Sequence, residues 1–220
     1  IALSVYIAVT FFNFLFTELE RSRVRGAFAQ YLSPEMVNRL AESNESLVLG
    51  GEKKEMTFLF SDIRGFTKIS EQYKEDPEAL TQLINQLLTV LSNAILDHGG
   101  TIDKYMGDCI MAFWNAPTDQ ADHRQLAIKA AHAMNQALDE FNFSMKGNLD
   151  FKLEIGIGIN SGECIVGNMG SDKRFDYTVL GDSVNLASRL ESQSSNYGLH
   201  MIIGENTFIE DAAFCIIEID

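Results

Sequence analysis

The residues best suited to chemistry lie in three short segments that combine charged side chains with turn-forming residues. The first segment reads FSDIRGFT over residues 60–67, where Asp62 ends an apolar run and Gly65 precedes helix-forming residues. A carboxylate beside the free N–H groups of a helix start can hold a divalent cation next to a phosphate. The same Asp could instead serve only to cap the turn.

The second segment, DKYMGD over residues 103–108, places Asp108 at the tip of a predicted hairpin. If the two hairpin strands lie beside the strand that ends at Asp62, two carboxylates meet at neighbouring strand ends. Such a pair could hold two divalent ions, an arrangement that serves phosphoryl or nucleotidyl transfer. Asp108 alone is a common turn residue, so the pair is the stronger signal.

The third segment, GDSVNLASR over residues 181–189, predicts a helix with Asp182 at its N-cap. Asn185 and Arg189 are four residues apart and therefore share one helix face. An amide and a guanidinium that project together could orient a ribose and stabilise charge on a pentavalent phosphate. A solvated helix face would show the same spacing.

Other suggestive features lack the context that their chemistry needs. The GIGINSG run over residues 156–162 has the wrong glycine count for a dinucleotide-binding loop and is interpreted as a hairpin, with its turn at residues 160–162. The four histidines are scattered outside the three segments. The three cysteines share no metal-type spacing and are typical of reduced core residues.

The elements that must position these segments follow from the hydrophobic pattern. The pattern predicts, in order, a strand over 56–60, a helix over 80–95, strands over 101–105 and 109–114, a helix over 126–141, strands over 151–159, 163–169 and 175–180, and a helix over 183–192. Strand, helix, hairpin, helix and strand in this order predict a ferredoxin-like βαββαβ sandwich with additions, of the α+β class.

The two ends of the chain predict further parts. Residues 1–16 are almost entirely apolar and are followed by Arg21, Arg23 and Arg25, which predicts the cytoplasmic half of a transmembrane helix over residues 1–20. A buried or coiled-coil helix of a soluble dimer is the alternative. Residues 21–49 are predicted to form a helical transducer or linker. Residues 214–220 are typical of a strand that is cut off, so more chain is expected after Asp220.

Composition limits the class of protein. The chain has 220 residues, 46% of them hydrophobic, which is enough for one well-filled domain over residues 50–220. The 17 Lys and Arg against 31 Asp and Glu give a formal net charge of −14. This negative field argues against a nucleic-acid partner.

Together, four runs resemble the catalytic domain of class III nucleotidyl cyclases: FSDIRGFT at 60–67, DKYMGDCIMAFW at 103–114, GIGINSGECIVGNMG at 156–170 and YTVLGDSVNLASRLE at 177–191. The resemblance runs from about residue 50 to the C-terminus. Residues 1–49 resemble, more weakly, the last transmembrane helix and transducer of bacterial membrane-bound adenylate cyclases. That likeness implies an inner-membrane protein with a cytoplasmic catalytic domain and an upstream sensor.

The resemblance implies an adenylate cyclase that converts ATP to 3′,5′-cyclic AMP and pyrophosphate at sites shared by a homodimer. Metal ligands for two Mg²⁺ or Mn²⁺ ions per site would be Asp62, Asp108 and the Ile63 carbonyl, and the turn at Gly65, Phe66 and Thr67 would bind the triphosphate. The second subunit would supply the remaining four residues: Lys104 and Thr178 for the adenine edge, Asn185 for the ribose and Arg189 for the transition state. A guanylate cyclase, or a catalytically silent regulatory or dimerisation module, remains an alternative.

Overall fold

The computed structural model of the chain describes residues 49–147, 149–171 and 174–209, together with Phe12, Glu218 and Ile219. The predicted transmembrane helix and transducer, apart from Phe12 and Leu49, and all but two residues of the C-terminal strand prediction lie outside these residues. The chain divides into two compact units, Ile1–Ser46 and Leu47–Asp220. The second unit contains the three segments with chemical potential.

The described elements include the predicted helices and strands in the predicted order, except that the strands predicted over 151–159 and 163–169 form a single strand. They are β1 (Gly50–Ile63), α1 (Phe66–Gln72), α2 (Pro77–Asp97), β2 (Thr101–Met106), β3 (Cys109–Trp114), α3 (His123–Ser144), β4 (Ile155–Ser171), β5 (Arg174–Leu180), α4 (Asp182–Tyr197), β6 (Met201–Ile203) and a 3₁₀ turn (Glu205–Thr207). The α+β class is confirmed.

One six-stranded sheet organises these elements in the order β2-β3-β1-β4-β5. All neighbours along this path are antiparallel, whereas β6 pairs with β4 in parallel. β1 occupies the centre between β3 and β4, so the loop that follows it lies beside the ends of two other strands. This is the strand order that a βαββαβ core requires.

The first face of the sheet is covered by α2 and α3, and it is called the α2/α3 face below. Leu87 and Leu91, one turn apart on α2, are fully or almost fully buried and belong to the same hydrophobic cluster as Trp114 of β3. Asp76 begins α2 by accepting a hydrogen bond from the Ala79 N–H at 3.0 Å. Of the described helices, α2 alone has the length and hydropathy of a membrane span, but its apolar residues belong to this core.

The opposite face carries aromatic and sulfur side chains of β1 and β3, with α4 packed against part of it, and is called the α4 face. Phe58 and Phe60 of β1 alternate with the residues that point to the α2/α3 face, as strand geometry dictates. Val184 and Ala187 of α4 complete this second cluster. Asp62 continues the Phe58 and Phe60 series, and its side chain therefore belongs to the α4 face.

The predicted turn at residues 160–162 is wrong, because β4 runs unbroken through it. Asn160 and Ser161 pair with Phe58 and Thr57 of β1. Two of their polar groups find partners inside the protein: the Asn160 amide nitrogen donates to the Ser183 carbonyl at 2.8 Å, and the Ser161 hydroxyl lies 2.7 Å from that of Thr57. These two residues, which usually form exposed turns, can be buried here because the Asn160 amide nitrogen and the Ser161 hydroxyl have hydrogen-bond partners.

The glycines in this run allow a helix to approach the strand closely. A Cβ at Gly158 would come within 2.1 Å of the Glu191 nitrogen and 2.2 Å of the Ala187 carbonyl oxygen of α4. The G-I-G pattern is therefore explained by the close contact between α4 and β4 and does not indicate a hairpin.

The far half of β4, together with β5, curls back over the α4 face. In a flat sheet, β2 and β5 would be about 19 Å apart, since four strand spacings separate them. Instead, the Thr178 hydroxyl of β5 is 2.6 Å from Asp103 of β2, and the Tyr177 and Phe113 ring centroids are 6.3 Å apart. This curl brings together residues that neither sequence order nor strand order makes neighbours.

Candidate active site

The carboxyl groups of Asp62 and Asp108 meet at the end of the central strand. Ser61 pairs with Ile110 across β1 and β3, so the next position of β1, Asp62, faces the start of β3. Asp108 immediately precedes that start, in the turn formed with Gly107 at φ 68°. The two carboxyl groups are close enough for the charge of Asp108 to raise the pKa of Asp62. The structure thus brings together the carboxylates that the sequence pairs.

The electrostatics of this pair show a site with excess negative charge. Burial, followed by the charges of Asp108 and Glu191, raises the pKa of Asp62 to about 6, and the Ile63 N–H offsets this only in part. Burial and the same carboxylates raise the pKa of the Cys109 thiol to about 12. Among the described residues, no group donates a hydrogen bond to the buried Oδ2 of Asp108. A bound cation would compensate the excess negative charge and give Asp108 Oδ2 a partner.

The turn after Asp62 leads directly into α1. Gly65 adopts the left-handed conformation, with φ 66° and ψ 24°, and caps the helix. The Arg64 N–H donates to the Glu154 carbonyl at 2.8 Å, which holds the turn against the residue before β4. Phe66 and Thr67 are the first two helical residues, and such N–H groups lack an acceptor within their helix. The predicted triphosphate-binding residues therefore adjoin the carboxylate pair.

Glu191 of α4 is a third acidic group near the pair, and the sequence interpretation missed it. Its pKa is raised chiefly by burial, while a hydrogen bond from Ser192 and the positive charge of Arg64 act in the opposite direction. Gly156, which pairs with Asp62, leaves space for it: a Cβ there would lie 2.6 Å from Glu191 Oε1. The helical spacing from the buried Val184 and Ala187 to Glu191 was the available signal.

The predicted base-reading residues, Lys104 and Thr178, meet through Asp103, which the sequence interpretation also missed. Thr178 donates to Asp103 Oδ2 at 2.6 Å, and Lys104 Nζ lies 3.6 Å from Asp103 Oδ1. The Asp103 side chain is 1% exposed, and that of Lys104 is 40% exposed. Burial raises the pKa of Asp103, although Thr178 and Lys104 both act to lower it.

Asn185 and Arg189 lie on the exposed side of α4. Neither side chain has a hydrogen bond or ion pair with another residue in the part of the chain that the structure describes. Among the described residues, neither side chain is bonded to the Asp62–Asp108 pair, whereas the charge of Glu191 on the same helix acts on Asp62.

Few side chains near the Asp62–Asp108 pair could act as metal ligands. Across residues 49–209, as far as they are described, no three His, Cys, Asp or Glu side chains are grouped to hold one metal ion. Two carboxylates and neighbouring backbone oxygens suit a hard cation such as Mg²⁺, which usually completes its shell with water and substrate phosphates. The site therefore fits a metal that binds together with a phosphate ligand.

Comparisons with known proteins identify the family. Residues 50–208 match the family model described as the adenylate and guanylate cyclase catalytic domain. Adenylate cyclase 1 of Rhizobium meliloti is 33% identical over 175 residues, which are 80% of this chain and 26% of that protein. The chain thus spans about a quarter of that relative.

Solved structures agree with this match. The adenylyl cyclase CyaB from P. aeruginosa is 41% identical, with a TM-score of 0.66 over 72% of this chain and 81% of that one. The guanylyl cyclase Cya2 is 44% identical, with a TM-score of 0.61 over 66% of this chain and 72% of that one. The chain belongs to the family of adenylate and guanylate cyclase catalytic domains.

Proposed function

We propose that this cyclase domain is an adenylate cyclase that forms 3′,5′-cyclic AMP and pyrophosphate from ATP at sites shared between two copies of the chain. The observation that carries the proposal is the Asp62–Asp108 pair, in which a buried carboxylate oxygen has no donor among the described residues. Two like charges held this close are costly unless a bound cation compensates them.

Asp62, Asp108 and the Ile63 carbonyl would hold two Mg²⁺ or Mn²⁺ ions. When bound, such ions neutralise a triphosphate and make a ribose hydroxyl more acidic. The N–H groups of Gly65, Phe66 and Thr67 would bind phosphate oxygens at the start of α1. These residues place the triphosphate, so that the ribose 3′-oxygen can attack the α-phosphorus and pyrophosphate can leave.

The second copy would complete each site. Asn185 and Arg189 are exposed on α4, which suits residues that act across an interface. In that position Asn185 would orient the ribose, and Arg189 would stabilise the negative charge that develops at the α-phosphorus. Lys104 and Thr178 of the same copy would contact the edge of the base.

The chemistry of these base contacts favours ATP. A lysine ammonium only donates hydrogen bonds and suits the N1 acceptor of adenine, while a threonine hydroxyl can accept from the exocyclic amine. A guanylate cyclase is the second candidate, because the structure of the guanylyl cyclase Cya2 is 44% identical to this chain.

From the sequence alone, we also propose that residues 1–20 end a transmembrane helix and that residues 21–49 connect it to the catalytic domain over residues 50–220. This arrangement would attach a cytoplasmic enzyme to the inner membrane and link it to an upstream sensor.

The direct test is turnover by purified protein that contains the whole chain. With Mn²⁺ present, ATP should yield cyclic AMP and pyrophosphate in equal amounts, and GTP should be converted much more slowly. Faster conversion of GTP would support the guanylate cyclase instead. Conversion of neither nucleotide would indicate a silent regulatory module of the same fold.

A mixing experiment tests the shared site. Asp62→Asn and Arg189→Ala should each abolish turnover when purified separately. Mixed chains form dimers in which one of the two sites has both residues intact, so co-expression should restore about a quarter of the wild-type activity. Co-expression of Asp62→Asn with Asp108→Asn is the matched control, because it repairs no site. Equal activity in both mixtures would contradict the shared site.

A further inference from the structure

The contact between Thr178 and Asp103 sets the direction of a hydrogen bond. Thr178 is the donor, at 2.6 Å from Asp103 Oδ2. A hydroxyl has one hydrogen and two lone pairs, whereas an ionised carboxylate only accepts. With its hydrogen engaged by Asp103, the Thr178 oxygen can offer only lone pairs to another ligand.

Asp103 reaches this position because β2 contains a bulge. Ile102 pairs with Ala112 and Lys104 pairs with Met111, so Asp103 is the extra residue between two consecutive partners on β3. In a regular strand, adjacent side chains point to opposite faces. A bulge can redirect one of them, and here Asp103 contacts Thr178 across the α4 face, to which Met111 also belongs.

Lys104 supplies the complementary group. Its Nζ lies 3.6 Å from Asp103 Oδ1, an ion-pair distance, and 40% of its side chain remains exposed. Asp103 Oδ1 is buried and has no hydrogen-bond partner among the described residues. One carboxylate thus holds a donor, Lys104, beside a hydroxyl that it converts into an acceptor.

We propose that Asp103 is a specificity-determining positioning residue, which orients the Thr178 hydroxyl so that the site accepts a 6-amino purine and rejects a 6-keto purine. The inference rests on the proposed function, in which Lys104 and Thr178 contact the base. A 6-amino purine presents a donor amine beside the N1 acceptor, whereas a 6-keto purine presents an acceptor oxygen beside an N1–H donor. The Thr178 acceptor and the Lys104 donor match the first pattern and oppose both groups of the second.

The sharpest probe is a pair of nucleotides that differ only at this edge, ATP and inosine triphosphate. Dissociation constants can be measured with Ca²⁺ by competition against a fluorescent ATP analogue, without any turnover. The wild-type protein should bind ATP more tightly. In Asp103→Leu the freed hydroxyl can rotate and donate to a keto oxygen, so the preference for ATP should fall by about tenfold, as expected for one mismatched hydrogen bond.

Three further variants separate positioning from a general structural role. If Asp103 acts through the hydroxyl, Asp103→Leu should change the preference little in a Thr178→Val background, since neighbouring effects on one group are not additive. Thr178→Ser retains the hydroxyl and should retain the preference. Asp176→Asn is the control, because the charge of Asp176 also acts on Asp103, but among the described residues the Thr178 hydroxyl donates to Asp103 and not to Asp176. It should leave the ratio unchanged.

An unchanged preference in folded Asp103→Leu, or equal losses in the wild-type and Thr178→Val backgrounds, would overturn the inference. If Asp103→Leu does not fold, Asp103→Ala removes the same acceptor and is judged by the same ratio. Selective binding of ATP without turnover would overturn the proposed function alone. Equal binding of both nucleotides by the wild-type protein would overturn the inference alone.

Discussion

The two faces of the sheet differ in whether their buried polar groups have hydrogen-bond partners. On the α2/α3 face, a continuous set of contacts links His123, Thr57, Ser161 and Thr207, with distances of 2.7, 2.7 and 3.0 Å. All four residues are buried, and each has a partner. A fully paired network of this kind supports a single arrangement of strands and helix.

On the α4 face and at its edge, several buried polar atoms lack partners. Within the described residues these atoms are Arg64 Nε, Asp103 Oδ1, Asp108 Oδ2 and Asn160 Oδ1. Asp103 and Asp108 belong to the β2–β3 hairpin, Arg64 follows β1, and Asn160 binds Ser183 of α4. Unpaired buried groups are uncommon in folded proteins, and two of these atoms, Asp103 Oδ1 and Asp108 Oδ2, belong to residues of the candidate active site.

The largest expected effect is a loss of turnover without a loss of stability, for a substitution on the α4 face. Asp108→Asn should lower turnover at least about a hundredfold, because a ligand of the proposed metal ions is lost. Its free energy of unfolding in EDTA should stay the same or rise, because one of two repelling charges is gone. Steady-state kinetics and urea titration measure the two quantities.

Asp139→Asn on α3 is the matched control for this substitution. Asp139 is 69% exposed and pairs with Lys152 at 3.0 Å, and it belongs to a helix that covers the α2/α3 face. Its turnover should equal that of the wild type. A clear loss of stability in Asp108→Asn would show that the pair is structural and would remove the contrast between the faces.

A smaller effect is expected on the α2/α3 face, in stability alone. Thr57→Val keeps the shape but leaves His123 and Ser161 without their shared partner, which should cost about 1–3 kcal/mol in the free energy of unfolding. The preference for ATP over inosine triphosphate should not change. Thr81→Val, at an exposed position of α2, should cost less than about 0.5 kcal/mol. Similar free energies of unfolding for both variants would mean that the hydrogen-bond network around Thr57 does not stabilise the fold.

The smallest effect is a difference in pH dependence between the faces. Burial lowers the pKa of His123 below its ordinary value of 6.5, so the unfolded chain takes up this proton first as pH falls, and stability declines below about pH 6.5. Asp62 behaves oppositely: its pKa of about 6 exceeds the ordinary 3.8, so the folded state takes up the proton first and gains stability between pH 6 and 4.

Urea titrations at several pH values in EDTA would reveal these opposite slopes. In His123→Gln, the free energy of unfolding should fall less steeply as the pH is lowered. In Asp62→Asn, it should fall more steeply. The reverse result in either variant would show that the assigned environment of that group is wrong.

The Asp62–Asp108 pair was predictable because its sequence signals are local. Asp62 lies at a strand end before a glycine turn, and Asp108 lies in a two-residue hairpin turn, so the βαββαβ order alone makes them neighbours. Asp103 was not predictable, because regular alternation would point it away from Lys104. The bulge that reverses this can be seen only in the register with β3. The unbroken course of β4 was missed because Asn160 and Ser161 find partners that are distant in the chain.

The amino-acid sequence by itself determined the class of fold, the order of its elements and the carboxylate pair, since apolar periodicity and turn residues act over a few positions. The tertiary structure decided how β4 curls, that the charge of Glu191 acts on Asp62 and that Asp103 accepts a hydrogen bond from Thr178. Those outcomes depend on strand register and on close backbone approach, and both arise from contacts between residues far apart along the chain.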